Sequence, residues 1–492
     1  MPRSLAQTSL QCSTESLQST RLVSLPAQSI GPDGKVRVDL TAILRLAFPL
    51  FLHAGLQAVL NLTDTWFIGR ISVDALAGVG GVYWLILGLL LLITGMGMGV
   101  QTLAAQAYGA GRFKRAAQAV WSGLWLSLFT LLPFAALAIW GQEGIVLLGL
   151  SEAATRAAQD YWFPRFLGGP IAVALTVVLS FFLGIGHVGV ALRINILVAC
   201  LNAVFNAYFV WVLDLGVAGV SWATTASISV GLIAALFLFL GHRYRYRYWS
   251  RRVRGFDVRR IGFLVGFGFP IGLSIAFDVL GLAAFQAMLA RLGSVEGAAT
   301  QVVMMLTSVA YMPAVGLGKA GTTLVGQSIG AGNPDWARRV GGRVIAITTL
   351  YMLCVGLVLS LGAPFWMALF VPSSDPMSEQ VIALGIQLAF IAALYQLSDG
   401  LHIGSVFCLR GAGDTRVPAL LLLTLSWGLF VPLTHFMAFE SGRGWVDWMP
   451  GLNLGAAGGW WAAVIYISLL AVVLGGRWFM GSWRRLGYQG AR

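Results

Sequence analysis

Apolar runs of about 20 residues, each long enough to cross the hydrocarbon core of a bilayer, recur from Thr41 to the C-terminal region with only short polar connections between them. About twelve such runs can be traced. Of 492 residues, 58% are hydrophobic and 10% charged, whereas a soluble domain carries roughly a quarter charged. Water is therefore not the main solvent of this chain, and the expectation is an all-α polytopic membrane protein.

The net charge of +13 could point to nucleic acid, but the basic residues are distributed as a topological signal. Clusters at Arg112, Lys114 and Arg115, at Arg243 to Arg260, at Arg338, Arg339 and Arg343, at Arg410 and Arg416, and at Arg484 and Arg485 alternate with acidic or mixed connections. The latter hold Glu143, Glu152 and Asp160, then Asp214, Glu296, Asp375 and Glu379, and finally Glu440 and Asp447. By the positive-inside rule the basic set is cytoplasmic, both termini are cytosolic and the number of spans is even. Residues 1–40 are rich in Ser, Gln and Thr, lack an apolar h-region and read as a disordered cytosolic tail. Residues 481–492 read as a second cytosolic tail. Cys12, Cys200, Cys354 and Cys408 show neither metal-ligand spacing nor a disulfide pattern.

The chain repeats itself. Pro49 and Pro270 stand 221 residues apart, and the same offset brings Gly95-Met96-Gly97 onto Gly316-Leu317-Gly318, Gln106 onto Gln327, and Gly109-Ala110-Gly111 onto Gly330-Ala331-Gly332. Further on, Gly184-Ile185-Gly186 meets Gly411-Ala412-Gly413, and Gly216 to Gly219 meets Gly455 to Gly458, at offsets that grow through loop insertions. Each half thus holds about six spans, and the two six-helix lobes, 41–241 and 261–480, are related by a pseudo-two-fold axis along the membrane normal. Between them lies the basic, aromatic segment 242–260, a cytoplasmic linker suited to anionic lipid headgroups rather than to nucleic acid.

No G-x-x-x-x-G-K-[ST] phosphate loop is present; Gly318-Lys319 is followed by Ala320 and lies inside an apolar run. The five histidines are scattered, and no nucleophile stands with a base at workable spacing. The chain therefore reads as a secondary transporter, not an enzyme, with no cofactor other than a coupling ion, H+ or Na+.

Ionisable groups at membrane depth are costly and mark function. Asp64, Asp278, Lys319 and Asp399 qualify. Asp64 is either a cation or proton site or an interfacial carboxylate paired with Arg70. Asn202 and Asn206, at i and i+4, share a helix face, and Thr224 follows on the next run; they offer oxygen ligands for a hard cation, or else glue helices together. Tyr395 and Asp399 are likewise at i and i+4, with His402 one turn on. Asp278 and Asp399 facing one cavity would resist ionising together, which suits proton or cation carriers and counter-ions of a cationic substrate. Asp64, Asp278 and Asp399 are the candidate Na+ ligands, and Asp278, Tyr395 and Asp399 the candidate substrate-binding residues. Lys319, whose repeat counterpart is Met98, is expected either to pair with Asp278 or Asp399 or to reach a water-filled vestibule.

The runs NLTDTWFIGR, QAYGAGR, GQSIGAGNPDWARR and CLRGAGDTRVP strongly resemble the multidrug and toxic compound extrusion (MATE) exporters, over residues 41 to about 480. The resemblance implies two six-helix lobes around a V-shaped cleft that alternates between outward- and inward-facing states, coupled to Na+ or H+. By it, Asp64, Asn202, Asn206 and Thr224 match the family's N-lobe cation and proton site. Tyr395 and Asp399 match the tenth-helix pair of the NorM-like branch, and Asp278 stands where that branch usually has Glu. Asn206 stands where some members have Asp, and Lys319 is unusual.

The function so implied is antiport of amphipathic, mostly cationic small molecules against H+ or Na+, from the bacterial inner membrane, by a functional monomer. Its partners are drugs or metabolites and the lipid bilayer, with no nucleic acid. The alternative is a flippase for a lipid-linked saccharide, which should show a strongly cationic cavity.

Overall fold

A computed structural model of the chain describes residues 25–371 and 376–488; Cys12, Asp375 and the first part of the N-terminal tail lie outside them. Backbone in hydrocarbon has no water to bond to, so each apolar run closes its own hydrogen bonds as a helix. Among the described residues eleven helices are long and apolar enough to cross a membrane, and a twelfth span is made of two helices that meet at 47°. The N-terminal lobe comprises α1 (Leu40–Ile71), α2 (Val73–Gly109), α3 (Phe113–Trp140), the bent pair α4 (Glu152–Leu167) and α5 (Gly169–Gly184), α6 (Val188–Val212) and α7 (Gly216–Leu240). A short α8 (His242–Tyr248) leads to the second lobe: α9 (Val258–Leu292), α10 (Ser294–Gly330), α11 (Pro334–Leu361), α12 (Ser378–Ala412), α13 (Arg416–Ala438) and α14 (Gly455–Met480).

The bend between α4 and α5 has a local cause. Pro170 cannot donate a helical hydrogen bond, and a Cβ on Gly168 would lie 2.4 Å from Thr225 Oγ1, so the chain breaks where α7 presses against it. Glu152 and Asp160, read above as loop residues, belong to α4 instead, because this break divides the run and leaves its first half polar.

The lobes touch through glycine. A Cβ on Gly95 of α2 would sit 2.2 Å from the Gly272 Cα of α9, and one on Gly268 would sit 2.4 Å from the Met96 carbonyl oxygen. On the other flank a Cβ on Gly316 of α10 would meet the Phe51 nitrogen of α1 at 2.7 Å. Bulkier side chains there would force the lobes apart. Around the first crossing Leu264, Phe267 and Ile271 of α9 join the core of the N-terminal lobe.

Beyond these crossings, hydrogen bonds between the lobes gather at one end, where α2 and α10 stop at Gly109 and Gly330 and the chain turns through Gly111 (φ 68°) and Gly332 (φ 74°). Thr102 donates to the Arg410 carbonyl and Thr323 to that of Leu183, each at 3.0 Å, and Gln101 donates to the Lys319 carbonyl at 3.0 Å. Gln106 and Gln327 complete the set. This end is sealed.

The basic segments share the same face. The Lys114 ammonium lies 5.8 Å from the Trp249 ring of the linker, the Arg112 guanidinium 5.2 Å from the Tyr488 ring near the C-terminus, and Arg484 pairs with Asp335 at 2.8 Å. In α8, Tyr244 and Tyr248 are buried against Phe181 while Arg243 and Arg245 face outward. Burial, with Arg243 and Arg247 nearby, holds the His187 imidazole below its ordinary pKa, and its Nδ1 lies 2.8 Å from the Tyr244 hydroxyl.

Part of the expected disordered tail is ordered. β1 (Gln28–Ile30) and β2 (Val36–Val38) form an antiparallel hairpin, and Trp336 Nε1 donates to the Pro26 carbonyl at 2.9 Å. The reason lies in its apolar residues: Leu25, Ala27 and Val38 pack on the core of the second lobe. The C-terminal segment also docks, with Trp483 fully buried and stacked on Trp478 at 4.7 Å.

Candidate functional site

Between the lobes, on the open side of the sealed end, lies a cavity of about 450 Å³. Its walls come from both halves: α1, α2 and α4 to α7 on one side, α9, α10 and α12 on the other.

Asp64 lines it from α1, and the sequence-predicted polar partners converge on it. Asn202 Nδ2 and Asn206 Nδ2 donate to Asp64 Oδ1 at 3.1 and 2.9 Å, and Thr224 Oγ1 donates to Oδ2 at 2.8 Å. The i, i+4 spacing on α6 places both carboxamides on the face turned to α1. All four side chains are buried. Asn206 Oδ1 is buried without a hydrogen-bond partner, which is how an oxygen offered to a hard cation would be presented. Arg70 is not the partner of Asp64; its guanidinium lies over the Trp66 ring at 5.1 Å. The cation within electrostatic range of Asp64 is Arg165 of α4.

Asp278, Tyr395 and Asp399 also come together, but inside the second lobe and not on the cavity wall. Tyr466 donates to Asp278 Oδ1 at 3.3 Å, and His402 Nδ1 lies 3.2 Å from Asp399 Oδ1. Tyr311 stands within electrostatic range of both carboxylates. Asp278, Tyr395 and Asp399, expected to face one cavity and to bind substrate, are not among the residues that line the cavity between the lobes; Tyr466 of α14, which bonds Asp278, stacks on Phe430 of α13.

Lys319 lines the cavity and pairs with no described carboxylate; the charged group within its electrostatic range is Arg410. No ion pair joins Lys319 to Asp278 or Asp399 among the described residues, and neither acid is among the residues that line this cavity. Arg410, counted above with the cytoplasmic clusters, is buried near the end of α12, donates to Ser274 Oγ at 3.2 Å and lies over the Phe407 ring at 4.9 Å. Sequence reasoning missed Arg165 and Arg410 as site residues. Both precede glycines that resemble loop signals, and the signal available was that each sits inside an apolar stretch.

The MatE family profile matches residues 49–208 and 270–435, one segment in each lobe. The chain is 30% identical over 447 residues to the "Probable multidrug resistance protein NorM" of Mesorhizobium japonicum, covering 88% of this chain and 94% of the relative. It is 29% identical to the "Multidrug resistance protein NorM" of Burkholderia vietnamiensis, covering 89% and 93%. The fold is similar to that of MATE in complex with MaL6 (TM-score 0.79, 20% identity, 90% of this chain and 96% of the other). It also resembles an outward-facing multidrug resistance MATE family transporter of the MOP superfamily (TM-score 0.76, 21% identity, 90% and 96%).

Proposed function

This chain belongs to the MatE family of multi-pass membrane transporters, NorM-like branch, and on that premise we propose that it is a secondary antiporter that exports amphipathic drug-like compounds in exchange for H+ or Na+. The observation that carries the reading is the Asp64 cluster: a buried carboxylate, held by two carboxamides and a hydroxyl, on the wall of a cavity that both lobes build. An ion that enters there changes the charge of Asp64 and biases the lobes toward one state, and substrate reverses the bias. Asn202, Asn206 and Thr224 ligate the ion or hydrogen-bond the carboxylate; Asp278, Tyr395 and Asp399 form a second buried polar group in the other lobe.

Orientation follows from charge. If the shared basic face is cytosolic, the sealed end faces the cytosol and the conformation is outward-facing, with both termini inside and the chain in the bacterial inner membrane. Both walls of the cavity come from a single chain whose lobes share core packing, which favours a monomer as the working unit.

The test uses the purified chain in proteoliposomes with an imposed pH or Na+ gradient, loaded with ethidium or with a monocarboxylate dye. Gradient-driven movement of either dye, lost in Asp64→Asn, supports antiport, and the effective gradient names the ion. If neither dye moves but a fluorescent phosphate lipid crosses the bilayer, the chain is a flippase.

A further inference from the structure

The charges that face the cavity are not those of a cation trap. Arg165, Lys319 and Arg410 line it against one carboxylate, Asp64. Both Asp64 oxygens are already occupied by donors, and Arg165 is the cation within its range. That leaves Lys319 and Arg410 on the opposite wall, two cations within electrostatic range of each other. Arg410 has partial relief from Ser274 and from Asp278, which stands within its electrostatic range, whereas no described carboxylate pairs with Lys319. His53, beside Lys319, is buried with its Nδ1 unpartnered.

Like charges held together in a low-dielectric wall are costly, and an anion placed between them removes that cost. The arginine fork and the compact ammonium together suit a carboxylate or phosphate oxygen pair. Facing them, Leu87, Leu90, Leu91 and Leu179 supply an apolar surface.

We propose that the central cavity selects amphipathic organic anions, with a carboxylate or phosphate head seated between Lys319 and Arg410 and an apolar body along the leucine wall. This rests on the transport reading and replaces the mostly cationic class expected from the acids in the sequence.

The experiment is equilibrium binding to the full chain in nanodiscs, by fluorescence anisotropy of a monocarboxylate fluorescein dye and, separately, of ethidium. Wild type should bind the anionic dye at least tenfold more tightly. In Lys319→Met, which carries the residue of the repeat-related position, the ratio of anion to cation affinity should fall at least tenfold, and Lys319→Arg should restore it. A ratio unchanged within twofold in Lys319→Met, or a wild type that binds ethidium alone, overturns the inference. Displacement of the dye by a short-chain lysophosphatidate more readily than by an alkyl carboxylate supports the site and assigns its anion to a lipid headgroup; the reverse order supports it and assigns a free organic acid. In the proteoliposome assay, ethidium transport without anion binding sinks this inference alone, whereas anion binding without movement of either dye upholds the site and sinks antiport.

Discussion

Gln327 crosses the lobe interface to donate to the Gly184 carbonyl oxygen at 3.0 Å, and its repeat-related partner Gln106 makes the same bond in the other direction, to Gly411 at 3.1 Å. Gene-level repetition has thus become a reciprocal clasp. Each neutral hydrogen bond contributes about 1 kcal/mol net, so removing both carboxamides in Gln106→Ala/Gln327→Ala should move the equilibrium between lobe arrangements about thirtyfold away from the sealed state. Hydrogen exchange over residues 322–330 reads this directly; undiminished protection in the double variant would leave the clasp without a gating role.

Thr224→Val removes the donor to Asp64 Oδ2 and keeps the side-chain shape. A hydrogen bond to a charged group is worth about 1.5–3 kcal/mol, so the coupling-ion concentration giving half-maximal transport should shift by about tenfold to a hundredfold. Thr224→Ser should behave as wild type. Equal ion dependence in all three would separate Thr224 from coupling.

Gly272→Val places a side chain where a Cβ alone would lie 2.1 Å from the Leu92 carbonyl oxygen. Overpacking costs about 1–3 kcal/mol where neighbours can adjust, and backbone adjusts less than side chains. The thermal midpoint of the detergent-solubilised protein, followed by size-exclusion chromatography, should drop by several degrees. Gly262→Ala, with open space around its Cβ, is the control and should not change it.

His187 carries a pH prediction. Its folded pKa lies below the unfolded value near 6.5, so the unfolded linker binds more protons in acid. Docking of α8 is then fully stable above about pH 6.5 and weakens as pH falls toward the folded pKa. Proteolysis within residues 242–256 should be faster at pH 5.5 than at pH 7.5, and His187→Gln should flatten that difference. A linker equally protected at both pH values would contradict it.

The sequence disclosed spans, repeat and acids because each leaves a periodic or compositional mark. Hydrocarbon demands long apolar runs, and Asn202 with Asn206 meets Asp64 because four residues make about one helical turn. What it hid depends on tertiary direction. Whether Asp278 faces the cavity or α14 is a rotation about a helix axis that spacing within one helix does not report. Arg410 looked like a loop charge and Arg165 drew no notice, because the glycines after each signal chain reversal, yet one glycine pair makes a bend in mid-span and the other a close contact with Thr322. The hairpin before α1 was obscured by the polar composition around its few apolar residues.

The glycine crossing between α2 and α9 also sets a mechanical ratio. With no side chains between the two backbones, Gly95 and Gly272 act as a fulcrum, and each helix is a lever rocking on it. At about 1.5 Å per residue, the α2 arm from Gly95 to Gly109 is about 21 Å long and the arm back to Val73 about 33 Å. A given rotation therefore carries the far tip about 1.6 times as far as the clasp end, so a small release at Gln106 and Gln327 is read out as a large displacement at the opposite mouth.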